Sequence, residues 1–204
     1  MAEKTNKIKV RLIRTLITIC SRLRKRPVAA VTSGRFLVVS TTGIGDTLWG
    51  TPPISALRKK YPEGYIGVLT NPAGAEILKD NPAISEIFTF RRGMGGFFRL
   101  PLLVESLIKK RLDKVFIFHA SDRIIWPICF LTGSSEITGF KGQSKDMDFI
   151  LTNTVEADPA VHCIENRFRM LAAVGVVHSG GDLPGDHLRR AVAPPFGQRR
   201  FRAV

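Results

Sequence analysis

With 204 residues, 44% of them hydrophobic, the chain is long enough to bury a core, and its composition excludes a disordered or low-complexity protein. Its formal net charge of +14 is concentrated at the ends: residues 1–27 hold nine Lys/Arg against Glu3, residues 176–204 hold five Arg against Asp182 and Asp186, and only +3 remains for residues 28–175. That central near-balance argues against a specific nucleic-acid groove, and Cys20, Cys129 and Cys163, odd in number and without a CxxC spacing, argue against a disulfide framework or a zinc site; the chain reads as reduced and cytoplasmic.

The first predicted element is a basic amphipathic helix within residues 1–27. Ile8, Leu12, Ile13, Leu16, Ile19 and Leu23 recur at spacings of three and four, while Lys9, Arg11, Arg14, Arg22 and Arg24 mostly point elsewhere. Arg11 and Arg14 would sit inside any attempted membrane span, and no small-residue cleavage site follows a clean apolar stretch. Two readings stay open: attachment of residues 8–26 to an anionic membrane surface, which would make the protein peripheral on the inner membrane, or a helix packed on the domain with a solvated basic face.

From Arg35 the pattern changes to strands alternating with helices. "RFLVVS" is a short apolar, β-branched run of the kind buried on both faces of a parallel sheet. "DTLWGTPPISALRKKYP" predicts a helix with Leu48, Ile54 and Leu57 inward, interrupted by Pro52 and Pro53. A strand "YIGVLT", a short helix "AGAEILKD" and a third strand "ISEIFTF" follow. The rhythm repeats with helix "FFRLPLLVESLIKKR", strand "DKVFIFH", helix "DRIIWPICFLTG", strand "SSEITGF" and a last amphipathic helix, "PAVHCIENRFRMLAAVG". This order predicts a doubly wound, Rossmann-like α/β domain over residues 35–175 with right-handed crossovers. Residues 176–204 have no sustained period of either kind and read as an irregular tail.

The crevice of such a sheet lies at the carboxyl ends of its strands, where "STTGIGDT" is found. Gly43 and Gly45 suit a tight turn and close approach of backbone to a ligand, and the amides opening the next helix can bind an anion. Asp46 is favoured there by the helix dipole and has two readings. It is a helix cap, a duty that Thr42 or Thr47 could share, or it is a carboxylate that takes a proton from a hydroxyl as general base. A dinucleotide fingerprint fits poorly, because "GIGDTLWG" has no third glycine at the GxGxxG position and no acidic residue ends "YIGVLT". His119 ends a strand on the crevice side; Trp49 and Trp126 sit in apolar helical patterns and are expected in the core.

These residues carry a resemblance. "FLVVSTTGIGDTLWGTPPISALRKKYP", "IGVLTNPAGAEILKDNPAISEIFTF", "LDKVFIFHASDR", "ITGF" and "HCIENRFRMLAAVG", in order over residues 35–175, resemble glycosyltransferase family 9, the heptosyltransferases of lipopolysaccharide core assembly. The resemblance implies the N-terminal half of a GT-B enzyme, whose two Rossmann-like domains hold acceptor and nucleotide-sugar donor respectively. It implies that Asp46 is the base of an inverting transfer from a nucleotide-activated heptose (ADP-heptose type), with Thr42, Gly43, Gly45 and Thr47 forming the surrounding loop. Arg91 and Arg92 match the family's acceptor-contacting stretch and suit an acidic glycolipid, guanidinium being able to grip carboxylate or phosphate in bidentate fashion; a solvated basic turn is the other reading. Arg123 is a further candidate, or simply faces water. His162 matches a histidine that opens a family helix and is assigned a structural role. The donor is a substrate, and neither a cofactor nor a metal is implied. A complete member carries a second domain of similar size beyond this helix, whereas 29 residues remain here. The expectation is therefore a truncated transferase, with a non-catalytic acceptor- or membrane-binding remnant as the alternative.

Overall fold

The computed structural model describes residues 34–176 and Thr15. The amphipathic helix expected over 1–27 and the tail expected over 176–204 lie, apart from Thr15 and Val176, outside the described residues. The chain runs β1 (Arg35–Ser40), α1 (Ile44–Leu48), α2 (Thr51–Lys60), β2 (Tyr65–Thr70), α3 (Pro72–Leu78), β3 (Glu86–Thr89), α4 (Met94–Phe97), α5 (Leu100–Lys109), β4 (Lys114–His119), α6 (Ile125–Leu131), β5 (Glu136–Phe140), a 3-10 turn (Asp148–Ile150), β6 (Asn153–Val155), α7 (Cys163–Leu171) and a 3-10 turn (Ala172–Val174).

The six strands form one sheet in the order β3-β2-β1-β4-β5-β6, parallel throughout. Uniformly apolar strands make this architecture, because successive side chains leave opposite faces and both faces need cover. Leu37 and Val39 of β1, with Val115 and Ile117 of β4, pack under Leu107 of α5 and Ile125, Trp126 and Ile128 of α6. Phe36 and Val38, with Phe116 and Phe118, pack under Ile54 and Leu57 of α2, Leu78 of α3 and Ile164, Phe168 and Leu171 of α7. This is the α/β Rossmann-like arrangement expected from the strand and helix rhythm. Its strand order reverses direction between β1 and β4, which locates the crevice.

Three local differences from the sequence-based expectation have physical causes. The stretch expected as one helix is two, and the break precedes the prolines: Gly50 caps α2, so Pro52 and Pro53 sit in its first turn, where a missing N–H leaves no intrahelical bond unmade. β6 is a sixth strand without an apolar run, being a half-exposed edge element that pairs with β5 and packs only Val155 against the core. Trp49 is not core, being 40% exposed with its ring edge-on to His162 at 5.5 Å; Trp126, 2% exposed, is core as expected.

At the amino ends of the strands, Arg58 of the "P-ALR-YP" stretch fastens loops together. Its Nε donates to the Ala83 carbonyl (3.1 Å), its Nη1 to those of Pro62 (2.8 Å) and Gly64 (2.6 Å), and its Nη2 to Ser85 Oγ (2.8 Å).

Candidate functional site

The loops leaving β1 and β4 are stitched together over the switch point. Thr41 N donates to the His119 carbonyl (3.1 Å), and Ser121 N donates to Thr41 Oγ1 (3.0 Å). The loop after β2 joins them through Asn71, whose Oδ1 caps α3 by accepting from Gly74 N (2.7 Å) and whose Nδ2 donates to the Thr42 carbonyl. Gly74 lets α3 pack this close, since a Cβ there would overlap Thr70 Oγ1 and lie 3.0 Å from Thr47 Oγ1. Between the loops opens a cavity of about 500 Å³, lined by Thr41, Thr42, Gly43, Asn71, Pro72, Phe90, Arg92, His119, Ala120, Ser121 and Lys145.

Asp46 stands beside it. The N-cap of α1 is Gly43, which puts Asp46 in the first turn, and its carboxylate accepts from side chains: Thr42 Oγ1 on Oδ2 (2.7 Å) and Arg167 Nη2 on Oδ1 (3.2 Å). The helix-cap reading is therefore set aside, because these partners hold the carboxylate toward Thr42 and α7. His119 Nδ1 lies 3.8 Å from Oδ2, beyond hydrogen-bond reach. With 28% of its side chain exposed, Asp46 stays accessible to a ligand.

Arg167 was not singled out from the sequence. It is 2% exposed, lies over the Phe118 ring at 5.6 Å, and its Nη1 is buried without a hydrogen-bond partner in the structure. Burial lowers its pKa from the usual arginine value, while Cys163 and Asp46 oppose that shift. The available signal was position: Ile164, Phe168 and Leu171 form the buried stripe of α7, and Arg167 falls on that stripe three residues after Ile164.

Of the arginines expected to bind substrate, only Arg92 lines the cavity. Its Nε pairs with Asp122 Oδ2 (2.7 Å) and its Nη2 donates to the Ser121 carbonyl (3.3 Å). Arg91 is exposed outside the lining. Arg123 neither lines the cavity nor simply faces water: its Nε donates to the Lys145 carbonyl (3.1 Å) and its Nη2 to Asp146 Oδ2 (3.2 Å), so it braces the loop after β5.

That loop supplies the cation which the sequence reading missed. Lys145 and Asp146 take φ of +56° and +68°, left-handed values that side chains other than glycine rarely adopt. Ser144 Oγ donates to the Asp148 carboxylate, Gly142 N donates to Asp148 Oδ2 (3.0 Å) and Met147 N to Ser144 Oγ (3.0 Å), and together these bonds hold the turn. Lys145 Nζ is thereby aimed at the Ser121 carbonyl (2.5 Å), the same oxygen that Arg92 reaches. No periodicity or motif marks a lysine that enters a site through a strained loop.

The loop residues divide. Thr42 and Gly43 line the cavity, whereas Thr47 is 1% exposed, donates to the Gly43 carbonyl (3.1 Å) and packs at Gly74, away from the lining. Gly43 has a φ of −80° and Gly45 is helical, so neither is required for a tight turn. Open space surrounds both Cβ positions, which leaves close approach of a ligand as their use. His162 caps α7, accepting from Ile164 N at 3.3 Å. Among the described residues no group of three or more His, Cys, Asp or Glu is placed to hold a metal ion, and no helix is long and apolar enough to cross a membrane.

No family model and no curated protein matches the sequence, but solved structures match the fold. The glycosyl transferase family 9 from Veillonella parvula DSM 2008 has a TM-score of 0.61 at 20% identity, over 71% of this chain and 42% of that one. The E. coli heptosyltransferase WaaC, solved with ADP, gives 0.61 at 14% identity over 71% and 48%, and the E. coli ADP-heptose lps heptosyltransferase II gives 0.55 at 18% over 67% and 39%. At such identities the likeness is one of fold, and the chain spans less than half the length of each.

Proposed function

We propose that this chain forms the acceptor side of a glycosyltransferase site, with Asp46 as general base. The observation that carries the reading is a carboxylate held by Thr42 and Arg167 at the edge of a switch-point cavity that presents Arg92 and Lys145. An acceptor carrying a phosphate or carboxylate suits those two cations, which converge on the Ser121 carbonyl. Asp46 takes the proton of an acceptor hydroxyl, that oxygen attacks the anomeric carbon of the donor sugar, and the bond to the nucleotide breaks with its electron pair leaving on the phosphate, which inverts the configuration. Likeness in fold to heptosyltransferases, including WaaC solved with ADP and with ADP-2-deoxy-2-fluoro heptose, supports an ADP-heptose type donor, while the acidic glycolipid acceptor is proposed from Arg92 and Lys145 at the cavity. The chain's own residues supply the base and the acceptor cations, and no step is assigned to a metal or cofactor.

The test compares heptose transfer from ADP-heptose to a lipid-linked acidic acceptor by the full chain and by Asp46→Asn. Loss of turnover by about 100-fold or more, with acceptor binding retained, is expected. Turnover insensitive to the substitution removes Asp46 from the role. Acceptor binding that falls in Arg92→Ala and Lys145→Ala, with no turnover even in the unaltered chain, assigns the protein to the second reading, an acceptor-binding module.

A further inference from the structure

Of the chain's two tryptophans, Trp49 reaches solvent, being 40% exposed, whereas Trp126 is 2% exposed. Trp49 has helical backbone angles and its N–H donates to the Gly45 carbonyl (2.9 Å), so it stands four residues after Gly45 and three after Asp46, a neighbour of both on the surface of α1. A second element gives the same placement. α7 meets α1 with His162 at the Trp49 ring and with Arg167 Nη2 at Asp46 Oδ1, so indole and carboxylate both face the opening turns of α7.

These contacts leave both groups capacity for a ligand. The Trp49 and His162 rings meet at 80°, a T-shaped pair that covers at most one face of the indole. Thr42 and Arg167 each donate to one Asp46 oxygen, a carboxylate has about four acceptor sites, and 28% of the side chain is exposed. On the turn before Trp49, a Cβ added to Gly45 would meet nothing within 4 Å. An aromatic ring, a carboxylate and an unfilled turn therefore lie together on α1. Along this helix the order is Gly43 at the cavity, then Asp46, then Trp49, which does not line the cavity.

A pyranose ring matches this set. One of its faces presents C–H groups, the positive partners that the negative face of an aromatic ring attracts, and its rim presents hydroxyls that need acceptors such as a carboxylate. An apolar wall with a few convergent polar groups is also how small-ligand sites are commonly lined. We infer that Trp49 is a sugar-binding platform, a pyranose lying on its indole over Gly45 with a hydroxyl directed to Asp46. The sugar is the one transferred or the one that receives it, so the use of the platform rests on the proposed function, but binding there requires no transfer.

The experiment reads acrylamide quenching of tryptophan fluorescence in the full chain, where Trp49 is accessible and Trp126 shielded. The probes are ADP-heptose, ADP, and methyl glucuronide as an acidic pyranoside. Protection from quenching by ADP-heptose beyond that given by ADP, by methyl glucuronide, or by both is expected, and which of them acts tells the transferred sugar from the acceptor. In Trp49→Leu the protectable quenching should vanish. Calorimetry should show the protecting probe bound roughly tenfold more weakly by Trp49→Leu and no more than roughly threefold more weakly by Trp49→Tyr, which keeps an aromatic face. Protection by ADP equal to that by ADP-heptose, with none by the glucuronide, overturns the inference in favour of a nucleobase on the indole. Protection by none of the probes, or equal binding by Trp49→Leu and the unaltered chain, overturns it outright. Asp46→Asn keeps an acceptor atom, so protection should persist there: transfer that survives this substitution refutes the base and not the platform, whereas protection that fails in a chain still competent for transfer refutes the platform alone.

Discussion

Replacing Asp46 by alanine should test more than catalysis, because the residue that depends on its charge is buried. Arg167 is 2% exposed; its Nη2 bonds Asp46 at 3.2 Å and its Nη1 already has no partner. Removing one member of a buried pair costs about 3–5 kcal/mol, most of it the penalty of the charge left behind. Asp46 itself keeps 28% side-chain exposure, so water can take part of its place and the expected cost is about 2–3 kcal/mol. For a domain of this size that lowers Tm by roughly 5–10 °C. Arg167→Met is expected to be milder, about 1 kcal/mol, since Asp46 retains the Thr42 hydroxyl and solvent. The double variant should then be no worse than Arg167→Met, a coupling of about 2 kcal/mol in a double-mutant cycle. Urea unfolding followed by circular dichroism measures all four proteins. If Asp46→Ala is as stable as Arg167→Met, or the double variant is as unstable as Asp46→Ala, the guanidinium is not held by that carboxylate. Asp46→Asn, which keeps an acceptor atom, is for the same reason the better variant for transfer assays.

Gly74→Ala should destabilise the fold by roughly 1–3 kcal/mol through overlap with Thr70, while Gly45→Ala, in an exposed helix with open space at the Cβ position, should stabilise it by about 0.5–1 kcal/mol; equal effects in a melting experiment would contradict the packing assigned to α3. Lys145→Gly should relieve the left-handed backbone and stabilise the chain by about 1 kcal/mol while weakening acceptor binding, and calorimetry on the pair reads both effects. Burial pushes the Cys129 thiol from 9.0 up to about 12, so the folded chain keeps a proton that the unfolded chain loses. The stability this contributes is whole below about pH 9 and is lost as the pH rises toward about 12. Cys129→Ala should flatten that alkaline decline in urea midpoints measured between pH 8 and 10.5; an unchanged slope assigns the decline to other groups.

The sheet was legible because its strands are short, apolar and buried on both faces, so β1 and β4 announce themselves without any tertiary information. β6 did not, because a three-residue edge strand is defined by backbone pairing with β5 and leaves no apolar signature. The site divides the same way. Asp46 and Thr42 were readable because they lie in one loop at a position the fold makes important. Arg167 reaches Asp46 from 121 residues further along the chain, and Lys145 joins the cavity lining from the loop after β5, so only the fold brings them there. Arg123, which looked like a ligand contact from its charge, serves Lys145 instead. Thr47 shows the converse: adjacency to Asp46 in sequence put it in the motif, while one residue's rotation along α1 turned it into the protein.

The bonds made by Arg58 bear on how such a chain is recognised. The arginine of "P-ALR-YP" is among the residues that carry the sequence's resemblance, yet its partners Ala83, Pro62, Gly64 and Ser85 lie at the end of the strands away from the cavity. The residues that carry the resemblance and those proposed to react are set apart by the length of the sheet. A substitution at Arg58 would therefore act through the fold and not through the cavity, and a designer transplanting the loop after β1 alone would leave behind the fastening of the loops that lead into β2 and β3.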